Sequence, residues 1–175
     1  MATPQAGPSP EFAKAYRDMM VQGLKQEMET TKKVIAAIPD GKRDYRPDPK
    51  ARTAYDLAWH IVTVDVQFLE EIAEGGPFKM EPRYKDAPKT VAEIVTWYDK
   101  NFKRALDKAK GVSGENLVKV LDFLGAFQLP AFAYLAFVNN HSIHHRGELA
   151  TYLRPMGSKV PAIYGPSADE EWQAA

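Results

Sequence analysis

Apolar residues recur with the period of an α-helix along four long stretches of the chain. Prolines delimit these stretches, because none of the 13 prolines lies within 11–38, 50–76, 89–129 or 131–154. Proline is the residue that a helix interior tolerates least, since it lacks an amide hydrogen and its ring clashes with the preceding turn. The pattern therefore predicts four long helices.

Signals for helix starts stand at the head of these stretches. Hydroxyl side chains, which can accept a hydrogen bond from the first turn of a helix, precede the first three. Ser9 precedes Pro10, and Thr90 forms a capping box with Glu93. Thr53 resembles the start of a capping box in which Asp56 replaces the usual Glu. The fourth helix should begin around Pro130 and run to about Arg154.

The segment 112–128 fits no single element. Its apolar run from Leu117 to Leu124 fits either a short helix or an extended chain, and periodicity over so few residues does not separate the two. No stretch shows two β-like runs joined by a hairpin turn, so the sequence favours an all-α fold. Four amphipathic helices bury their apolar faces in a four-helix bundle, and the connections 75–89 and 111–129 are long enough for at least one crossover.

The length of 175 residues predicts a single domain with a sizeable core. We assign this four-helix-bundle domain to residues 11–167. Residues 1–10, which are rich in Pro, Ala and Ser, are predicted to be a disordered N-terminal tail. Residues 168–175 are predicted to be a C-terminal tail.

Composition excludes several classes of function. Lys plus Arg and Asp plus Glu both number 23, so no net charge favours nucleic acid or an anionic membrane as a partner. The chain has no cysteine, which excludes disulfides, thiolate metal ligands and a cysteine nucleophile. The first residues lack the features of a secretory signal, and the nearly uncharged stretch from Phe123 to Ile143 is interrupted by Pro130. We therefore expect a cytoplasmic protein without a membrane helix.

Three of the four histidines fall within a span of five residues on the fourth predicted helix. His141 and His145 are four residues apart, so their imidazoles project from one helix face and can reach one metal ion. His60 lies on the apolar stripe of the second helix, which also faces inward. Three neutral imidazoles from two helices would form a metal site with open positions, as expected of a catalytic ion.

Other interpretations of these residues stay open. A histidine on an apolar stripe is also typical of a hydrogen-bonded core residue, and a pair at HxxxH spacing can decorate a surface. His144 lies at the edge of the stripe, where we expect it to support a ligand or face solvent. Glu148 either accepts a hydrogen bond from a ligand imidazole or approaches the metal, or it is an exposed partner of Arg146 or of lysines. We interpret four carboxylates of the second helix as mostly solvated: Asp56, Asp65, Glu70 and Glu71.

The histidine cluster and its surroundings resemble the DinB/YfiT-like family. The resemblance is carried by Leu57-Ala-Trp-His60-Ile, by the HxxxHRG string that begins at His141, and by the tail Gly157-Ser-Lys-Val160-Pro161. It implies an up-up-down-down four-helix bundle, often a homodimer, with a divalent ion on His60, His141 and His145. Members of known activity are metal-dependent transferases that activate a low-molecular-weight thiol. The family commonly has Gln where this chain has Glu148.

Together these observations lead to one functional hypothesis and one rival. The first is a metal-dependent transferase or hydrolase for a small-molecule substrate, in which Zn²⁺ or Ni²⁺, or alternatively Fe or Mn, activates a low-molecular-weight thiol or water. The rival is a non-catalytic dimeric helical module for binding or stress response, whose histidine cluster is structural or vestigial. No side-chain nucleophile is needed in the first case.

Overall fold

The computed structural model describes residues 7–171. The parts of the predicted tails at 1–6 and 172–175 lie outside the described residues. The elements in chain order are the helices α1 (Pro10–Ala36), α2 (Ala54–Glu74), α3 (Val91–Lys110) and α4 (Gly114–Leu117), the strands β1 (Val120–Phe123) and β2 (Phe127–Pro130), and the helix α5 (Tyr134–Leu153). The mostly helical architecture confirms the all-α prediction.

The four long helices begin where the capping signals predict, except that a short 3₁₀ turn at Ala131–Ala133 precedes α5. A cap side chain supplies an acceptor to an amide hydrogen that lacks a helical partner, which fixes the first turn. Three such bonds are present: the hydroxyl of Ser9 accepts from the amide of Phe12, that of Thr53 from Asp56, and that of Thr90 from Glu93. The Glu93 carboxylate completes the capping box by accepting from the Thr90 amide.

The helix α1 packs between α3 and α5. Near the start of α1, Arg17 donates to the carbonyl of Val112, just beyond the end of α3, so these two helices are antiparallel. The rings of Tyr16 and Phe132 meet beside the starts of α1 and α5, and Ser158, beyond the end of α5, donates to the carbonyl of Ala37. The helices α1 and α5 are therefore parallel.

The helix α2 occupies the opposite corner of the bundle and also packs against α3 and α5. Near its start Trp59 contacts Trp97, and near its end Glu70 pairs with Arg104, so α2 is parallel to α3. The resulting order is up-down-down-up, which corrects the up-up-down-down order implied by the family resemblance. The physical reason is that the connection 37–53 stays at one end of the bundle and reverses the chain, so α2 runs antiparallel to α1.

Parallel neighbours α2 and α3 need a connection that runs back along the whole bundle, and residues 75–90 provide it. The carboxamide of Gln67 donates to the carbonyls of Lys79 and Glu81 and accepts from the amide of Arg83, which fastens this crossover to α2. At its far end the carbonyl of Lys89 accepts from Arg43. The predicted crossover is thereby confirmed, and it covers one edge of the region between α2 and α5.

The ambiguous segment 112–128 contains both the short helix α4 and most of a β-hairpin. Strands β1 and β2 pair antiparallel, with Val120 opposite Pro130 and Phe123 opposite Phe127. Leu124 and Gly125 in the turn both have positive φ, a conformation that glycine adopts without strain. The expectation that the chain has no hairpin was wrong. The hairpin lies against Phe78 of the crossover and Phe137 of α5, so its position depends on contacts distant in sequence.

Two observations complete the architecture. No helix within residues 7–171 is long and apolar enough to cross a bilayer. After α5 the chain folds back, since the hydroxyl of Tyr164 contacts Arg146 of α5 and Glu27 of α1. The carboxylate of Asp169 accepts hydrogen bonds from the amide of Val160 and from Arg154. The domain limits 11–167 remain a prediction.

Candidate metal centre

The antiparallel packing of α2 against α5 brings three histidines together near the middle of the bundle. His60 comes from α2, whereas His141 and His145 come from successive turns of α5. The Nε2 atoms of His60 and His141 are 3.3 Å apart. The ring of His145 lies 4.8 Å from that of His60 and 4.7 Å from that of His141, measured between centroids. All three residues are half-buried.

The buried carboxylate of Asp65 orients His141. Its Oδ1 lies 3.1 Å from Nδ1 of His141, and its Oδ2 accepts a hydrogen bond of 2.8 Å from the hydroxyl of Tyr98. Asp65 is 1% exposed and Tyr98 is fully buried. Because an ionised carboxylate only accepts, Nδ1 of His141 carries the proton and its Nε2 offers a lone pair toward His60.

A second carboxylate acts on His145 in the same way. Oε2 of Glu148 lies 3.0 Å from Nδ1 of His145, and its Oε1 accepts from the hydroxyl of Tyr152 at 3.0 Å. Glu148 therefore contacts a ring nitrogen of His145. Within residues 7–171 it does not pair with Arg146 or a lysine, contrary to the alternative interpretation. The bond directs Nε2 of His145 away from Glu148.

Burial favours the uncharged form of His60 and His145. Loss of hydration lowers the pKa of His60 to about 3, with the positive charge of Arg52 as the second cause. Burial also lowers the pKa of His145, against the opposing effect of its bond to Glu148. Neutral imidazoles are the form that binds metal ions, so both rings are ready to coordinate at neutral pH.

The donor set fits a divalent ion. Two imidazole nitrogens at 2.0–2.1 Å from a tetrahedral Zn²⁺ are about 3.3 Å apart, which is the separation of the His60 and His141 nitrogens. One nitrogen from each of the three histidines lies within 4.8 Å of the others. Imidazole suits Zn, Ni and Fe, and three protein ligands leave positions for other molecules.

His144 takes no part in the three-histidine group. Its side chain is exposed, and its ring contacts that of His145 at 4.8 Å. A second set of potential ligands consists of His144, His145 and Glu148, whose nitrogen and oxygen atoms also lie within 4.8 Å of one another. Since the two sets share His145, the discriminating residues are His60 and His144.

Comparison with known proteins identifies the fold family. A model of the DinB family matches residues 12–174. The chain belongs to the DinB family. The protein YrdA of Bacillus subtilis is 26% identical over 158 residues, which cover 89% of this chain and 91% of YrdA. A crystal structure of a DinB-like protein from Bacillus cereus is 28% identical with a TM-score of 0.67, covering 83% of this chain and 95% of that one.

A more distant neighbour is a crystal structure of a variant of the mycothiol-dependent maleylpyruvate isomerase. It has a TM-score of 0.52 at 9% identity and covers 83% of this chain and 64% of that one. Identity this low shows a common fold alone. The DinB fold is thus shared with a thiol-dependent enzyme.

A cavity of about 340 Å³ lies beside the three histidines of this DinB protein. Its walls come from five parts of the chain: the end of the connection 37–53, α2, α5, the crossover and the hairpin. Most of them are apolar, and they include four aromatic rings: Phe68, Phe78, Phe123 and Phe137. A concave, mostly apolar cavity with a few polar groups is the usual form of a small-molecule site.

The expectation that the carboxylates of α2 are solvated was wrong for three of the four. Asp65, Glu70 and Glu71 are 1%, 3% and 2% exposed, and only Asp56 is exposed. Each buried carboxylate has partners that offset the cost of burial: Asp65 has His141 and Tyr98, whereas Glu70 pairs with Arg83 and Arg104. Asp65 is the site residue that sequence analysis missed. The available signal was its place four residues after Ile61 and four before Leu69, on the buried stripe.

Proposed function

We propose that this DinB protein is a metal-dependent enzyme whose divalent ion, Zn²⁺ or Ni²⁺ before Fe or Mn, is held by His60, His141 and His145. The observation that carries the proposal is the convergence of three imidazoles, of which His141 and His145 are each oriented by a carboxylate on the other ring nitrogen. An ordinary core histidine needs one partner. Here Asp65 and Glu148 each fix one ring nitrogen, which leaves the opposite nitrogen available for an ion.

The second part of the proposal is that the ion serves transfer from a low-molecular-weight thiol. When bound, a divalent ion lowers the pKa of a thiol or water in an open position and stabilises the resulting nucleophile. Support comes from the family resemblance and from the mycothiol-dependent isomerase that shares the fold. The chain has no cysteine of its own, so the sulfur has to come from a second molecule.

The residues of the chain supply position and charge compensation. Asp65 holds the ring of His141 and receives the Tyr98 hydroxyl on its other oxygen, so the imidazole does not rotate. Glu148 does the same for His145 and adds a negative charge beside the ion. The apolar walls of the cavity exclude water, which strengthens electrostatic interactions at the site.

The direct test uses protein purified without a histidine tag. We expect it to contain, or to take up, one transition-metal ion per chain. After replacement by Co²⁺, addition of a small thiol should produce a thiolate-to-cobalt charge-transfer band in the near ultraviolet. Protein that takes up no metal would contradict the metal centre and leave the rival, a non-catalytic helical module. Metal uptake without a thiol-dependent band would contradict only the thiol-transfer part.

A positioning variant tests the role of Asp65. In Asp65→Asn the side chain keeps its shape but loses the charge that favours the protonated Nδ1 of His141, so we expect Zn²⁺ affinity to fall by about 10–100-fold. Competition with a chromophoric chelator measures the change, and Asp56→Asn, at the exposed carboxylate of the same helix, is the matched control. Equal affinities for the two variants would show that Asp65 supports the fold without orienting the ligand.

Two further predictions accompany this proposal. The family resemblance implies a homodimer, and we propose that the protein acts in the cytoplasm. Size-exclusion chromatography with light scattering tests the first and cell fractionation the second.

A further inference from the structure

The cavity beside the histidines has different charged residues at its two ends. Along α2 its lining runs from His60 through Val64 to Glu71, a span of 11 residues or about 16 Å along the helix axis. Arg52, which precedes α2 by two residues, also lines the cavity. Since His60 lies near the start of α2 and Glu71 near its end, Arg52 stands at the histidine end.

Arg52 has no partner of its own in the described part of the chain. Its guanidinium makes no ion pair and no hydrogen bond with residues 7–171, unlike Arg43, Arg83, Arg104 and Arg146. An arginine fork matches the two oxygens of a carboxylate. At the other end of the cavity the buried Glu71 carboxylate would repel an anion, although Lys79 also lines that end.

Between the two ends the cavity is apolar. Its walls include Val64, Phe68, Phe123 and Phe137. A small thiol such as a cysteine derivative is polar throughout and gains little from these walls. The lining therefore suits the acceptor molecule and not the thiol.

We propose that the cavity binds an acceptor with a carboxylate and an apolar body, with Arg52 holding the carboxylate at the histidine end and the body lying along α2. The identity of this ligand as a substrate rests on the proposed function, whereas its binding does not. In this pose the atoms next to the carboxylate lie nearest the histidines. Such an acceptor would react at a carbon close to its carboxylate.

The test compares two probes of nearly equal shape, 4-phenylbutyrate and 4-phenylbutanamide. Titrations followed by ¹H–¹⁵N NMR spectra are made on the protein as isolated and after removal of metal by a chelator. In the metal-free protein we expect the carboxylate to bind about fivefold to tenfold more tightly than the amide, the range of a charge-assisted bond at a partly exposed arginine. Equal affinities would overturn the proposal.

Variants assign the discrimination to one residue. Arg52→Gln should reduce the preference for the carboxylate to less than about twofold, while amide binding stays unchanged. Lys79→Gln and Arg46→Gln are matched controls, one at the opposite end of the cavity and one on the connection 37–53 outside the lining. Loss of the preference in Lys79→Gln, with Arg52→Gln unaffected, would place the carboxylate at the wrong end and contradict the proposal.

Because the titrations of chelator-treated protein omit the metal, they separate two kinds of failure. A preference for the carboxylate in protein that binds no metal would keep the subsite and remove the proposed reaction. If the protein binds metal but shows no preference for the carboxylate probe, the proposed reaction stands and the proposed carboxylate subsite at Arg52 is rejected.

Discussion

Replacement of His60 by alanine should abolish stoichiometric metal binding. Of the three proposed ligands His60 alone comes from α2, so its loss leaves only the pair on α5. Changes to groups that merely orient a ligand cost about 10–100-fold in affinity, and removal of a ligand should exceed that range. We expect the Zn²⁺ affinity of His60→Ala to fall by more than about a hundredfold in chelator competition.

The matched control is His144→Ala. His144 is exposed and adjacent to His145, so its removal should leave metal affinity within about threefold of the unchanged protein. The two variants distinguish the two possible ligand sets, since His60 belongs only to the three-histidine group and His144 only to the group with Glu148. If His144→Ala lost the metal and His60→Ala retained it, the ion would lie on the outer set.

The expected loss does not depend on unfolding. His60 is half-buried at a cavity wall, where truncation opens space toward the cavity and leaves the packed core intact. Circular dichroism of His60→Ala should therefore match that of the unchanged protein. A His60→Ala variant that was unfolded would leave the test to His145→Ala, whose loss of metal is predicted on the same ground.

Local interactions made much of the fold predictable. A hydroxyl side chain at a helix start acts on residues only three positions away, so Ser9, Thr53 and Thr90 could be assigned from sequence. The proximity of His141 to His145 likewise follows from the geometry of one helix. Apolar stripes showed which faces turn inward, including that of His60. These inferences needed no knowledge of how the helices are arranged.

What depends on distant partners was not predictable. The burial of Asp65 is tolerated because Tyr98, 33 residues later, donates to it, and the sequence does not show this pairing. The hairpin has only four residues in each strand, and its aromatic contacts come from the crossover and from α5. The direction of α2 depends on whether the connection 37–53 or the connection 75–90 crosses the bundle. The two are similar in length, so the sequence does not distinguish them.

A buried guanidinium on the side of α5 that faces α1 provides the largest expected effect on stability. Arg146 is 1% exposed, and its Nη1 donates to the Glu27 carboxylate at 2.6 Å and to Thr31 at 3.3 Å. Its plane also lies over the ring of Tyr164, with 5.1 Å between Cζ and the ring centroid. Arg146 thus joins α5 to α1 and to the chain that follows α5.

Replacement of Arg146 by methionine should lower the free energy of unfolding by about 3 kcal/mol. Removing one partner of a buried ion pair leaves the other charge without compensation, and the partial exposure of Glu27, 18% for its side chain, places the cost at the lower end of the usual range. In a domain of this size the midpoint of thermal unfolding should fall by roughly 6–12 °C.

The control for this prediction is Arg154→Met. Arg154, beside the end of α5, pairs with Asp169 at 2.9 Å but has a side chain that is 55% exposed, so its loss should cost less than about 1 kcal/mol. Urea denaturation of both variants gives the comparison. Similar small losses would show that Glu27 and Tyr164 satisfy each other without the guanidinium, through the 2.8 Å bond between their side chains. A loss confined to Arg146→Met would establish that this buried guanidinium anchors α5 to α1.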